Sequence, residues 1–254
     1  MDKKRDSHYL SLIIPTYRRA RTIVGNVLQI KHVLDDIRYD YEIIVVVDGL
    51  IDNTHERLKK AKVPKVKIYS YEENQGKAFA VRHGMEHARG DYIMFIDSGL
   101  EIDPNGISML LEHMEWYNAD IIVGSKRHPA SQVNYSLFRK VLSYGYFSLV
   151  RMLFGVNVKD TQAGIKIFKR NVLKNILPRL VEKKFAGDLE ILVVAKQLGY
   201  KRVFEAPIKL DYDFSAVTDA ATVNAIMGIL RDTLSIFYRA FIMRYYVKKR
   251  KDSH

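Results

Sequence analysis

Tyr92-Ile93-Met94-Phe95-Ile96 runs without a break into Asp97-Ser98-Gly99-Leu100-Glu101. An apolar strand that stops on a carboxylate delivers it to whatever lies beyond the strand's end, and Val45-Val46-Val47 stops in the same way on Asp48. Lys77 follows Asn74-Gln75-Gly76 at the start of a helical pattern, where a glycine and a lysine taken alone also read as an ordinary turn. Carboxylates hold hard cations or sugar hydroxyls, whereas lysine and arginine hold phosphates. The chain has no cysteine, which excludes disulfides, thiolate nucleophiles and cysteine metal sites, and is compatible with a reducing interior.

These residues need elements to place them. Leu10 to Ile14, Glu42 to Val47, Val66 to Tyr71, Tyr92 to Ile96 and Ala119 to Val123 read as short strands. Helical patterns fall between them at about Ala20 to Asp36 and Lys77 to Ala88, with a third that Pro104 starts. This alternation predicts an α/β fold with a mostly parallel sheet covered on both faces, whose ligands sit at the carboxyl ends of the strands. Beyond Gly124 the pattern gives a helix over Ser136 to Phe154, a strand over Gly164 to Phe168, a helix over Ala186 to Leu198, a strand over Val203 to Leu210, and a helix over about Thr218 to Val247. That second half reads as an elaboration on the same sheet. With 254 residues, 48% of them hydrophobic, the chain is expected to form one domain: about 8–125, about 126–217 and a basic C-terminal helix over about 218–254.

Residues 1–125 hold 17 Lys/Arg against 19 Asp/Glu and residues 126–254 hold 24 against 10, so the halves carry −2 and +14. The second half calls for an anionic partner. Nucleic acid is not expected, because no nucleic-acid motif accompanies the charge. MDKKRDSHYL has no apolar run after its charges, so no secretory signal is expected. No stretch approaches the ~18 uncharged apolar residues of a spanning helix. Ser136 to Phe154 and the last helix instead mix basic, aromatic and apolar residues, as a helix lying in the headgroup plane does.

Taken in order, Ile14-Pro15-Thr16-Tyr17, Val47-Asp48-Gly49, Asn74-Gln75-Gly76-Lys77, Ala88-Arg89-Gly90-Asp91 and the strand ending at Asp97 resemble the nucleotide-sugar half of a family 2 glycosyltransferase with the GT-A fold. The resemblance continues through Gly124 to Pro129, Asp160 to Phe168 and Phe185 to Glu190, the pattern of the dolichol-phosphate mannose and glucose synthase branch. It implies a UDP- or GDP-hexose donor held by Pro15, Tyr17, Asp48, Lys77, Asp97 and Gln162. It also implies Mg²⁺ or Mn²⁺ on Asp97, the first acid of an Asp-x-Asp motif. Gly99 stands at the second acid, leaving Glu101 as the substitute ligand, and Arg18-Arg19 stand where relatives carry Asn-Glu.

For the acceptor, the resemblance implies a polyprenyl phosphate clamped by Arg127 and Arg139, with Asp188 and Glu190 as the acidic pair beside it. The catalytic set is then Asp97, Asp188, Arg127 and Arg139 in an inverting hexosyltransferase, peripheral to an anionic membrane surface on its cytoplasmic face. The alternatives are a transferase using a soluble saccharide acceptor and a non-catalytic binding or scaffold protein of the same fold.

Overall fold

The computed structural model describes residues 8–132, 137–210 and 223–248. Its strands are β1 (Leu10–Thr16), β2 (Tyr41–Asp48), β3 (Val66–Tyr71), β4 (Tyr92–Ile96), β5 (Ile121–Ser125), β6 (Ile165–Lys169) and β7 (Val203–Pro207). They form one sheet in the order β3-β2-β1-β4-β6-β5-β7. Among them only β6 is reversed, pairing antiparallel with β4 on one side and β5 on the other. The helices are α1 (Ile23–Asp35), α2 (Thr54–Ala61), α3 (Lys77–Glu86), α4 (Gly106–Trp116), α5 (Leu137–Phe154), α6 (Arg170–Ile176), α7 (Gly187–Gln197) and α8 (Val223–Phe237), and α8 runs into a π-helical turn over Tyr238–Ile242.

The sheet is mixed α/β and mostly parallel, as the alternation predicts, and its central strands are buried along their whole length. Side chains of a strand alternate between faces. Leu10, Leu12 and Ile14 therefore pack with α1 and α4 on one face, while Ile13 packs with α3 and α7 on the other. Each side chain of this size stabilises by about 1.5–3 kcal/mol on full burial, which is why strands serving two cores must be apolar throughout.

Several elements differ from the expectation. Helices α2 and α6 were not expected; α2, THERLKKA, buries only Thr54 and Leu58 and so shows no apolar period. The helix expected from Pro104 starts at Gly106, after the Asp103 carboxylate has accepted the Asn105 N–H at 2.9 Å. The last strand ends at Pro207, beyond which Lys209 and Leu210 make only isolated bridges to Gln132 and Ile102.

β1 lies between β2 and β4, so the chain leaves it in opposite directions at the carboxyl edge and opens a crevice there. Because β6 is reversed, its amino end meets that same edge. Residues before β6 thereby reach the ends of β4 and β5.

Candidate active site

At the carboxyl end of β4, Asp97 is held in place by its own backbone, whose N–H donates to Gly164 O at 2.9 Å. A Cβ on Gly164 would lie 2.1 Å from Asp97 Oδ2, so only glycine fits beside the carboxylate. Lys77 Nζ, from the first residue of α3, lies 2.8 Å from Asp97 Oδ1 and 3.1 Å from Oδ2. The same ammonium is 3.4 Å from Asp188 Oδ2, and Asp188 Oδ1 is 2.7 Å from Lys166 Nζ. Lys166 is fully buried in β6 and also donates to Ala163 O at 2.7 Å.

Four charges thus alternate in a row: Lys166, Asp188, Lys77, Asp97. Burial disfavours the Lys77 ammonium, but Asp188 and Asp97 outweigh it and raise its pKa above the ordinary lysine value. Burial pulls the Lys166 pKa down against the opposing pull of Asp188. Burial would raise the Asp188 carboxyl, yet Lys166 and Lys77 hold it below the usual carboxylate range. Such a string is a poor stabiliser, because desolvation costs several kcal/mol per ion. Its place at the strand ends, with the Asp97 side chain 31% exposed, is that of a site.

The other expected donor residues divide. Tyr17 is exposed just past β1, whereas Pro15 is buried inside it, paired with Val46. Asp48 is also buried, and its carboxylate accepts from Tyr71 Oη at 2.8 Å, Asn74 Nδ2 at 2.9 Å and the N–H groups of Gln75 at 2.7 Å and Gly76 at 3.0 Å. It sits at the amino end of α3, where a negative charge is favoured. Its lone pairs are committed to the loop that positions Lys77, and it offers none to a base or ribose.

Arg127 follows β5 and reaches α5. Its Nη2 donates to Ser143 Oγ, and its guanidinium carbon lies 4.6 Å from the Tyr144 ring centre and 5.1 Å from that of Phe147. Among the described residues its buried Nη1 has no hydrogen-bond partner. Gln162 Nε2 reaches Tyr146 Oη at 3.5 Å, and that hydroxyl meets Thr233 Oγ1 of α8 at 3.1 Å. Arg139 belongs to α5, and its side chain lies outside the described residues.

Asp188 and Glu190 do not form a pair. Two positions apart on a helix they face different ways. Glu190 turns from the site and accepts from the N–H groups of Val181 at 3.0 Å and Glu182 at 2.9 Å and from Tyr246 Oη at 2.7 Å. Lys166 and Gly164, by contrast, carry the site and were not singled out as site residues in the sequence. Their signals were a lysine inside the apolar run Ile165 to Phe168 and a glycine just before it.

A divalent cation at Asp97 would compete with Lys77, which already engages both carboxylate oxygens. The Glu101 carboxylate reaches the point where a Cβ on Gly99 would sit, its Oε1 3.3 Å away, and Arg19 Nη2 lies 3.2 Å from the same point. Among the described residues no three His, Asp or Glu side chains converge. These residues do not fit a resident metal.

Residues 11–177 match the family described as Glycosyl transferase family 2. The chain belongs to that family. Relatives of this family 2 member include the dolichyl-phosphate beta-glucosyltransferase of Saccharomyces cerevisiae, 30% identical over 212 residues, 74% of this chain and 62% of that protein. The enzyme of the same description from Dictyostelium discoideum is 29% identical over 209 residues, 76% of this chain and 64% of that protein. The chain therefore spans under two thirds of the length of these relatives. Mannosyl-3-phosphoglycerate synthase from Rubrobacter xylanophilus shares the fold with a TM-score of 0.69 over 96% of this chain and 77% of that one, at 15% identity. Glucosyl-3-phosphoglycerate synthase from Mycobacterium tuberculosis, solved with Mn²⁺, UDP and phosphoglyceric acid, gives a TM-score of 0.65 over 96% of this chain and 80% of that one, at 13% identity. The fold is GT-A.

Proposed function

We propose that this family 2 protein transfers a hexose from a nucleoside-diphosphate sugar to a polyprenyl phosphate of the dolichyl type, with inversion at the anomeric carbon. The observation that carries the reading is Arg127, just past the carboxyl end of β5, whose buried Nη1 has no hydrogen-bond partner among the described residues. A guanidinium N–H left without an acceptor costs stability that an anionic ligand returns. The likeness to dolichyl-phosphate glucosyltransferases supports a lipid phosphate as that ligand.

In this reading the donor lies in the crevice past β1 and β4, its diphosphate near Lys77. The acceptor phosphate oxygen, already ionised at neutral pH, attacks the anomeric carbon and forms the new C–O bond. The bond to the donor's β-phosphate oxygen breaks, and the nucleoside diphosphate leaves with the electron pair. No general base is needed, so placement and charge complementarity do the work. Asp97 and Asp188 orient Lys77, and Asp48 holds the loop from which it extends.

Membrane contact is assigned to α5, α8 and the π-helical turn. There Tyr144, Met152, Leu234, Tyr238, Phe241 and Ile242 are exposed beside Arg151, Arg231 and Arg244. No helix among the described residues is long and apolar enough to cross a membrane. The anionic cytoplasmic leaflet attracts such a surface by about 1 kcal/mol per cation. The tail residues Lys249, Arg250 and Lys251, expected to add to this, lie outside the described residues.

The test is incubation with radiolabelled UDP-glucose or GDP-mannose, a polyprenyl phosphate and anionic vesicles. Label in the lipid extract, lost when the acceptor is omitted, is the expected result. Label reaching only a soluble phosphate acceptor, or no transfer of either sugar, overturns the reading.

A further inference from the structure

The altered motif at Gly99 and the altered loop at Arg19 are far apart in sequence and meet in space. Arg19 Nη2 lies 3.2 Å and Glu101 Oε1 3.3 Å from the position a Cβ on Gly99 would take, so an acid at residue 99 would meet a guanidinium where one carboxylate already stands. By the family resemblance both positions carry acids in relatives. Here Arg for Glu raises the local charge by two and Gly for Asp raises it by one.

The approach is built into both loops. The Arg19 N–H donates to Thr54 Oγ1 at 3.0 Å, and its carbonyl accepts from the N–H groups of Thr22 at 3.0 Å and Ile23 at 2.9 Å. The carbonyl of Ser98 accepts from Asn26 Nδ2 of α1 at 2.7 Å, which ties the Gly99 turn to the helix that Arg19 precedes. Arg18 and Leu100, the neighbours of Arg19 and Gly99, have φ of +52° and +56°. Left-handed backbone at non-glycine residues is unfavourable and persists where the surroundings enforce it. The Arg19 side chain forms no ion pair among the described residues, and Asp97 is committed to Lys77.

We infer that the Arg19 guanidinium and the Lys77 ammonium neutralise the donor diphosphate in this protein, so that the nucleotide binds without a divalent metal. The inference rests on the donor reading above. Arginine suits the task because its planar fork meets two phosphate oxygens at once and stays charged at any working pH.

Calorimetric titration of the purified protein with UDP and with GDP, each in EDTA and then in Mg²⁺ or Mn²⁺, tests it. One of the two nucleotides should bind in EDTA with a Kd within about threefold of its value in metal. Arg19→Ala should weaken binding in EDTA by about tenfold or more, while Arg21→Ala, exposed two residues on, should not. Arg19 is itself exposed, so a melting curve should show the variant folded. The double variant Arg19→Glu with Gly99→Asp should bind nucleotide only with Mn²⁺ and show the spectrum of protein-bound Mn²⁺ in electron paramagnetic resonance. Nucleotide bound only with metal by the wild type, or unaffected by Arg19→Ala, overturns the inference and leaves the transferase reading standing, with Asp97 and Glu101 as the metal's ligands. No binding of either nucleotide under any condition overturns both.

Discussion

The two edges of the sheet bury carboxylates in opposite ways. At the amino ends of β1 and β2, Glu42 accepts from Ser11 Oγ at 2.7 Å, Lys67 Nζ at 2.6 Å and the Arg89 N–H at 2.9 Å, while Gly90 N–H closes onto Ser11 Oγ at 2.8 Å. The carboxylate there is buried, and it is the Lys67 ammonium, not the acid, that reaches solvent. At the carboxyl ends, the row from Lys166 to Asp97 finishes on a carboxylate open to solvent, and Arg127 Nη1 has no partner among the described residues. A closed network locks the turn between α3 and β4, whereas an open one keeps bonding capacity for something that arrives later. On the proposed function, that difference is what sets structural charges apart from working ones.

The sharpest break in that contrast is at Asp97. Asp97→Asn keeps the shape but removes the charge that orients Lys77, and should lower transfer by about 100-fold or more with the circular dichroism spectrum unchanged. Gly164→Ala should act through the same carboxylate, since the added methyl would sit on Asp97 Oδ2. Near-normal turnover in both would reduce Asp97 to a structural group.

Next in size is Arg127→Ala, for which transfer to the polyprenyl phosphate should fall by about 10–100-fold while nucleotide affinity, read by calorimetry, stays the same. Arg127→Lys should not restore the rate, because an ammonium lacks the fork. At the closed edge the effect should fall on stability instead. Glu42→Ala leaves Ser11, Lys67 and the Arg89 N–H without their acceptor and should cost about 1–3 kcal/mol in urea unfolding, with kcat intact.

The smallest effect expected is one of pH. Burial lifts the Glu190 pKa, only partly countered by Tyr246, the Glu182 and Val181 N–H groups and Arg239. The folded protein then holds a proton that the unfolded chain has released. This contribution to stability is whole below the ordinary glutamate value of about 4.3 and fades as pH rises through the folded value. Unfolding free energies of wild type and Glu190→Gln, compared from about pH 4 to 7, should differ in slope, the wild-type value falling relative to the variant's as pH rises. Equal slopes would mean that Glu190 is as well solvated folded as unfolded.

Much of the carboxyl edge was legible in the chain. Strands that serve two cores must be apolar to their ends, so Asp48 and Asp97 announced where the sheet stops, and a lysine after Asn74-Gln75-Gly76 announced the start of α3. The helices without an apolar stripe, α2 above all, were not legible, because tertiary contacts rather than period hold them. Nor was the fate of Asp48: its residue type and position suit a ligand contact as well as they suit a loop anchor, and only the donors of Tyr71, Asn74, Gln75 and Gly76 decide between them.

The sequence by itself determined the class of fold, the family and the edge of the sheet at which charges gather, since these follow from periods of two and of 3.6 residues and from motif order. Tertiary structure alone decided which charges meet. Reversing β6 carries Gly164 and Lys166 to the end of β4, the turn of α7 parts Asp188 from Glu190, and the packing of α1 against the β4 end sets Arg19 over Gly99. Each of these joins residues remote along the chain, or separates near ones. Local pattern carries no such information, because it is fixed only when the two faces of the sheet are covered.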